Sequence, residues 1–281
     1  MLAIKLSLVA LSMLSATWAA RRFGHRVGGL IAGFPLIMAP LIGLLLLDLT
    51  GQRVAEICWT TLANFTACVG FIVAMGLAVI RFNWWQSLAI ASIAFAALTA
   101  ITALLPVPRT VTVGLGLGSI IIGPWLIPPG TPPAGGVRVP VSEFVCRMVA
   151  ALSMAAGVLL LAADTPPLIS AMLLTYPING SVLPAFTRAL YGGPAARSVL
   201  TGFGIGLRGV GLFLLATALG LETFDSRWLG YAGGLGCAVA YALCLLWRPL
   251  ALPRTRSAES AKGSPAQATK ASGRTSTSDA P

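Results

Sequence analysis

The sequence predicts an all-α, polytopic membrane protein with nine transmembrane helices, built as two inverted four-helix repeats joined by a linking helix. Three observations predict it. Of 281 residues, 57% are hydrophobic and only 10% charged, whereas a soluble domain carries about a quarter charged residues. The apolar residues gather into nine runs, most of them near the ~20 residues that cross a bilayer as a helix. Four of these runs recur in the same order 142 residues later, Lys5 falling on Arg147.

The elements follow in order. Run one, 2–20, has the outline of a signal peptide, with Lys5, an apolar stretch and small residues. Arg21, Arg22 and Arg26 follow at once, and positive charge directly after the apolar core opposes export of what comes next. It reads as a retained first span with its N-terminus outside. Run two, 27–47, contains GGLIAGFPLIMAP (28–40), with Pro35 and Pro40 inside an otherwise apolar span. Run three, 54–80, carries Thr60, Thr61, Asn64 and Thr66. For Asn64 a helix–helix hydrogen bond is the first expectation and cavity lining the second. Run four, 84–105, completes the first repeat, 1–110.

Run five, VTVGLGLGSIIIGPWLI (111–127), is short and glycine-rich. Gly114, Gly116 and Gly118 resemble a phosphate loop only superficially, because no Lys-Ser/Thr follows and the setting is apolar. With the stiff PPGTPPAGGVRVP connection it forms a linking unit, 111–140. Runs six to nine, at 144–163, 167–187, 195–221 and 228–247, make the second repeat, 141–248. The tail, 249–281, is polar, basic and almost without large hydrophobes. It is expected to be disordered, since it has too little to bury.

Shifted by 142 residues, run two falls on 169–189, run three on 196–222 and run four on 226–247. The Phe34-Pro35 pair meets Tyr176-Pro177, and Gly51 meets Gly193. Shared spacing plus the aromatic–proline pair points to duplication. Charge sets its direction. With the N-terminus outside, inside loops hold Arg21, Arg22, Arg26, Arg81, Arg138, Arg147, Arg188, Arg197 and the basic tail. Outside segments hold Lys5, Arg53, Arg109 and Arg227 with Asp48, Glu56, Asp164, Glu222 and Asp225. Lysine and arginine favour the cytoplasmic side. Equivalent loops also differ in charge: RRFGHR is basic and its counterpart around DTPP is not, while DLTGQRVAE is mixed and its counterpart RALYGGPAAR is basic. Run five is then the extra crossing that inverts the second half.

The interrupted spans carry the functional expectation. GGLIAGFPLIMAP has a counterpart in SAMLLTYPINGSVLP (170–184). A helix broken in hydrocarbon leaves backbone groups unpaired at several kcal/mol each unless protein or water satisfies them. Paired interruptions in two halves point to the binding site of an inverted-repeat transporter; singly, each could simply kink or pack a helix. Asn179, beside Pro177, offers a polar amide at the break. Arg208 lies near the centre of run eight, where a charge costs roughly 3 kcal/mol on insertion scales. It is expected either to face a watery cavity and an anionic ligand or to cap carbonyls of the broken helices. The expected substrate-binding set is Pro35, Tyr176, Pro177, Asn179, Arg208 and Asn64, gathered near the midplane. Gly202, Gly206 and Gly209 read as packing positions.

Other signals are excluded. The net charge of +11 is scattered between apolar runs, which reads as topology and not as a nucleic-acid surface. Cys58, Cys68, Cys146, Cys237 and Cys244 lie in apolar segments without CxxC spacing and read as buried small hydrophobes. His25, the single histidine, sits in the basic loop and reads as solvated. No acidic residue lies at mid-membrane depth in any run, and no nucleotide-binding, Ser/His/Asp or HExxH pattern occurs. An enzyme, a cofactor and a metal are therefore not expected.

The GGLIAGFP element and its second-half echo resemble uncharacterised bacterial inner-membrane proteins with a Gly-Leu-x-x-Gly-x-Pro signature. The architecture is similar to that of inverted-repeat secondary transporters, and that similarity implies alternating access around a midplane site in a bacterial inner membrane. The first function expected is a secondary transporter or facilitator of a small solute, anionic if Arg208 contributes. The alternative is a non-transporting assembly factor or regulator whose basic cytoplasmic tail docks a partner or anionic lipid. The expected partners are the lipid bilayer and a small solute.

Overall fold

The structure, a computed structural model, describes residues 5–7, 10, 11, 14, 35, 37–104, 107–131 and 140–247. All regular elements among them are helical: α1 (Met38–Asp48), α2 (Gly51–Ala78), α3 (Trp84–Leu104), α4 (Arg109–Leu126), α5 (Val141–Leu161), α6 (Pro167–Thr175), α7 (Ile178–Tyr191), α8 (Gly193–Thr223) and α9 (Arg227–Trp247). Seven stretches are long and apolar enough to cross a membrane: α2, α3, α4, α5, α6 with α7, α8, and α9 to Leu245. This is the make-up of a multi-pass helical membrane protein. Most of run one, the opening of run two and the tail lie outside the described residues, and with them His25 and the expected disorder of 249–281. Met1–Leu243 forms one compact unit and Cys244–Pro281 another, of which only the end of α9 is described.

Two long helices form the core. α2 packs on α3, α4, α6 and α8, and α8 packs additionally on α4 and α7. Phe65, Phe71, Ile72 and Met75 of α2 and Phe213 and Leu214 of α8 are fully enclosed. The two helices run antiparallel. Trp59, near the start of α2, donates its indole N–H to Glu222 at the end of α8 at 2.7 Å. At the other end, Arg197 near the start of α8 donates Nε–H to the Gly76 carbonyl at 2.8 Å. Around this pair, α3, α4, α5 and α9 turn apolar side chains outward, including Trp84, Ile93, Trp125, Leu160 and Leu229. Water would penalise such a surface as an aggregation site, whereas lipid tails match it.

Local chemistry sets the boundaries. Thr50 caps α2 by accepting the Arg53 amide at 3.3 Å. Gly192, with φ +86, supplies the left-handed turn that ends α7 and starts α8. Run five is a full helix, α4, and its glycines pack helices together. A Cβ on Gly116 would overlap the Leu62 carbonyl, so α4 lies directly on the α2 backbone, whereas Gly114 and Gly118 face open space.

Two sequence expectations are corrected here. Arg147, assigned to a loop, is inside α5. It pairs with Glu143 at 2.9 Å, with side-chain exposures of 5% and 4%. Glu143 sits just before the apolar run, but the helix begins at Val141, so the two charges fall four residues apart on one face. Of the cysteines, Cys58 and Cys68 are buried, whereas Cys146, Cys237 and Cys244 are exposed.

Candidate functional site

The second interruption is visible residue by residue. α6 ends at Thr175 and α7 begins at Ile178. Pro177 has no amide N–H to give the Leu173 carbonyl. The next amide, Ile178, donates to the Tyr176 carbonyl at 2.9 Å and not back to Leu174. With Pro177 at φ −82 and ψ 79, this is an inverse γ-turn inside a membrane-length stretch. α7 starts there without a side-chain cap. Of the first stretch the described residues show the start of a helix: Pro35 is buried, its carbonyl accepts the Ala39 amide at 2.8 Å, and α1 starts at Met38 without a side-chain cap.

The start of α1 and the α6–α7 break line one cavity of about 70 Å³. Ile37 and Met38 come from the first; Thr175, Tyr176, Pro177, Ile178 and Asn179 come from the second. Phe65 and Cys68 of α2, Met154 of α5, and Phe203, Leu207 and Val210 of α8 complete the wall. The lining holds no charged side chain. The beginnings of α1 and α7 thus meet at one space, and uncapped amides at helix starts carry partial positive charge.

Packing locks the break in place. The Tyr176 ring meets Phe71 and Phe95 edge-on, with centroids 5.7 and 5.3 Å away. Its hydroxyl lies 3.1 Å from Ser92 Oγ on α3. Asn64 Nδ2 donates to Thr175 Oγ1 at 2.7 Å, and Thr175 in turn donates to the Ala171 carbonyl at 2.7 Å. Asn64 therefore makes the helix–helix hydrogen bond expected of it, at the residue where α6 stops. Thr60, Thr61 and Thr66 spend their hydroxyls on carbonyls of their own helix.

Of the sequence-predicted residues, Tyr176, Pro177 and Asn179 line the cavity, Pro35 is buried beside the α1 start, and Asn64 braces the wall from behind. Arg208 is the exception. Its neighbours Leu207 and Val210 line the cavity, but its Nη2 donates to the Ile121 carbonyl on α4 at 2.9 Å. Its guanidinium also stands 5.8 Å from the Trp125 ring centroid. Pro124 lies in the same turn of α4, where its missing N–H leaves the neighbouring Ile120 carbonyl without a helical donor. Pro124 packs against Gly204, one turn before Arg208 on α8. The arginine thus caps a carbonyl, as its second reading held, but on α4. Arg208→Ala should lower stability by about 1–3 kcal/mol while leaving solute handling intact; a thermal melt beside a cellular solute profile checks both.

The apolar walls were missed because Phe, Leu and Met in an apolar run look the same whether they face a cavity, a helix or lipid. Thr175 carried a usable signal, a hydroxyl directly before the aromatic–proline pair. Comparison with protein-family models, curated proteins and solved structures finds no match. The likeness of the Gly-Leu-x-x-Gly-x-Pro element therefore rests on its own residues, and the chain is identified by its fold: a multi-pass membrane protein, helical throughout its described elements, with a cavity between the start of α1 and the α6–α7 break.

Proposed function

We propose that the protein is a secondary transporter or facilitator that moves a small solute across a bacterial inner membrane by alternating access. The observation that carries this reading is a cavity lined by the start of α1 in the first half of the chain and by the α6–α7 break in the second. Such pairing is the usual position of a transporter's site. The walls are apolar and the two helix starts offer backbone amides, so the solute is small and carries a hydrogen-bond-accepting or anionic group.

Inverted duplication is supported by four features. The equivalent helices α2 and α8 start at Gly51 and Gly193, which correspond in the 142-residue register. They run antiparallel, as inversion requires. Their most apolar windows are both 67% buried, and those of the equivalent pair α3 and α9 are 22% and 17% buried. Finally, the Ser92–Tyr176 contact between α3 and the second break has a counterpart, because Tyr231 on α9 donates to the Ala39 carbonyl of α1 at 2.9 Å. The seven candidate spans with runs one and two give nine crossings, N-terminus outside and C-terminus in the cytoplasm.

The test is unbiased with respect to substrate. Solutes retained or excreted are compared between cells lacking and cells overproducing the protein, with a chain ending at residue 253 as a third strain. The proposal expects a specific solute to change and the shortened chain to act like the full one. An effect that disappears with the tail would favour the docking regulator instead.

A further inference from the structure

The α6 end of the break gathers oxygen atoms. Pro177 leaves the Leu173 carbonyl without its helical donor, and Ile178 spends its amide on Tyr176, so Leu174 also loses its own. Both carbonyls belong to the last turn of a nine-residue helix, where the backbone carries partial negative charge. Asn64, bonded to Thr175 at the end of the same helix, is 2% exposed and its Oδ1 has no partner. Thr175 Oγ1 gives its proton to the Ala171 carbonyl and accepts from Asn64 Nδ2, an arrangement that leaves Oδ1 as the bare acceptor. A buried acceptor without a donor is costly, and here it adjoins a helix end that also lacks donors.

We propose that Asn64 Oδ1, Thr175 Oγ1 and the carbonyls of Leu173 and Leu174 form a binding site for a small alkali cation, sodium, that couples to solute movement through the cavity. Hard cations take oxygen ligands, and unwound carbonyls at a half-helix C-terminus are a general way to hold sodium in membranes. The site uses both ends of one break: the α6 end faces the cation, and the α7 start faces the acceptor group of the solute. A cavity of about 70 Å³ has room for a few water-sized groups, each needing about 10–15 Å³ of such space. As a coupling site it rests on the transport reading; as a cation site it does not.

The experiment uses the purified full chain and sodium itself. Thermal unfolding is followed in sodium, potassium and choline chloride at equal ionic strength, and bound radioactive sodium is counted directly. A saturable rise in Tm specific to sodium is expected, with binding weakened about tenfold or more in Asn64→Leu and in the near-isosteric Thr175→Val. Equal Tm values in the three salts, unchanged binding in folded Thr175→Val, or stabilisation by methylammonium but not sodium would each overturn the site. Sodium binding without any solute effect in cells would overturn transport and leave the cation site standing. Solute movement indifferent to sodium would overturn the coupling and leave transport standing.

Discussion

Replacing Gly116 with leucine should prevent the protein from accumulating as a monodisperse, folded species. The clash is with backbone, since any Cβ at this position would overlap the Leu62 carbonyl oxygen. No rotamer change relieves that, so α4 must move off α2, the helix that also carries α3, α6 and α8. Overpacking of this kind costs ~3 kcal/mol, and here it also withdraws the α4 carbonyl and ring that Arg208 holds. Gly114→Leu and Gly118→Leu, on the open face of the same helix, should be nearly neutral. Size-exclusion profiles and thermal melts of the three variants separate a packing glycine from flexible ones. Equal behaviour of all three would contradict direct α2–α4 contact.

Pro177→Ala should have the opposite signature, abolishing the solute effect without loss of stability. Alanine restores an N–H that can reach Leu173 and removes the proline penalty, about 3 kcal/mol in a helix interior. α6 and α7 can then join into one 25-residue helix, Pro167–Tyr191. The break and the uncapped start of α7 disappear together. A melt at or above the wild-type temperature, with the solute profile reduced to that of cells lacking the protein, is the expected pair of results. A large drop in Tm with the solute effect retained would make the proline a structural kink only.

Much of this was legible because lipid imposes strict rules. Apolar runs must be helices, and a proline pair within them must be accommodated, so the break at Tyr176-Pro177 and the helical boundaries near Gly51 and Gly193 could be read directly. Arg208 could not. Sequence gives the depth of a side chain but not its face, and its partner, the Ile121 carbonyl, lies far away in the chain on α4, which α8 approaches closely at Gly204. Glu143 was hidden by a hydropathy boundary that ignored the helix start at Val141. Cys68 and Phe203 line the cavity with residue types that equally well fill a core.

Accessibility of the cavity from the two sides of the membrane tests the central claim most directly. With the five native cysteines replaced, Asn179→Cys would be exposed to a membrane-impermeant thiol reagent in right-side-out and in inverted vesicles. Alternating access around the paired breaks predicts labelling from both sides, with the balance shifted by the solute that the cell comparison identifies. Labelling from one side only under every condition, or from neither, would contradict it.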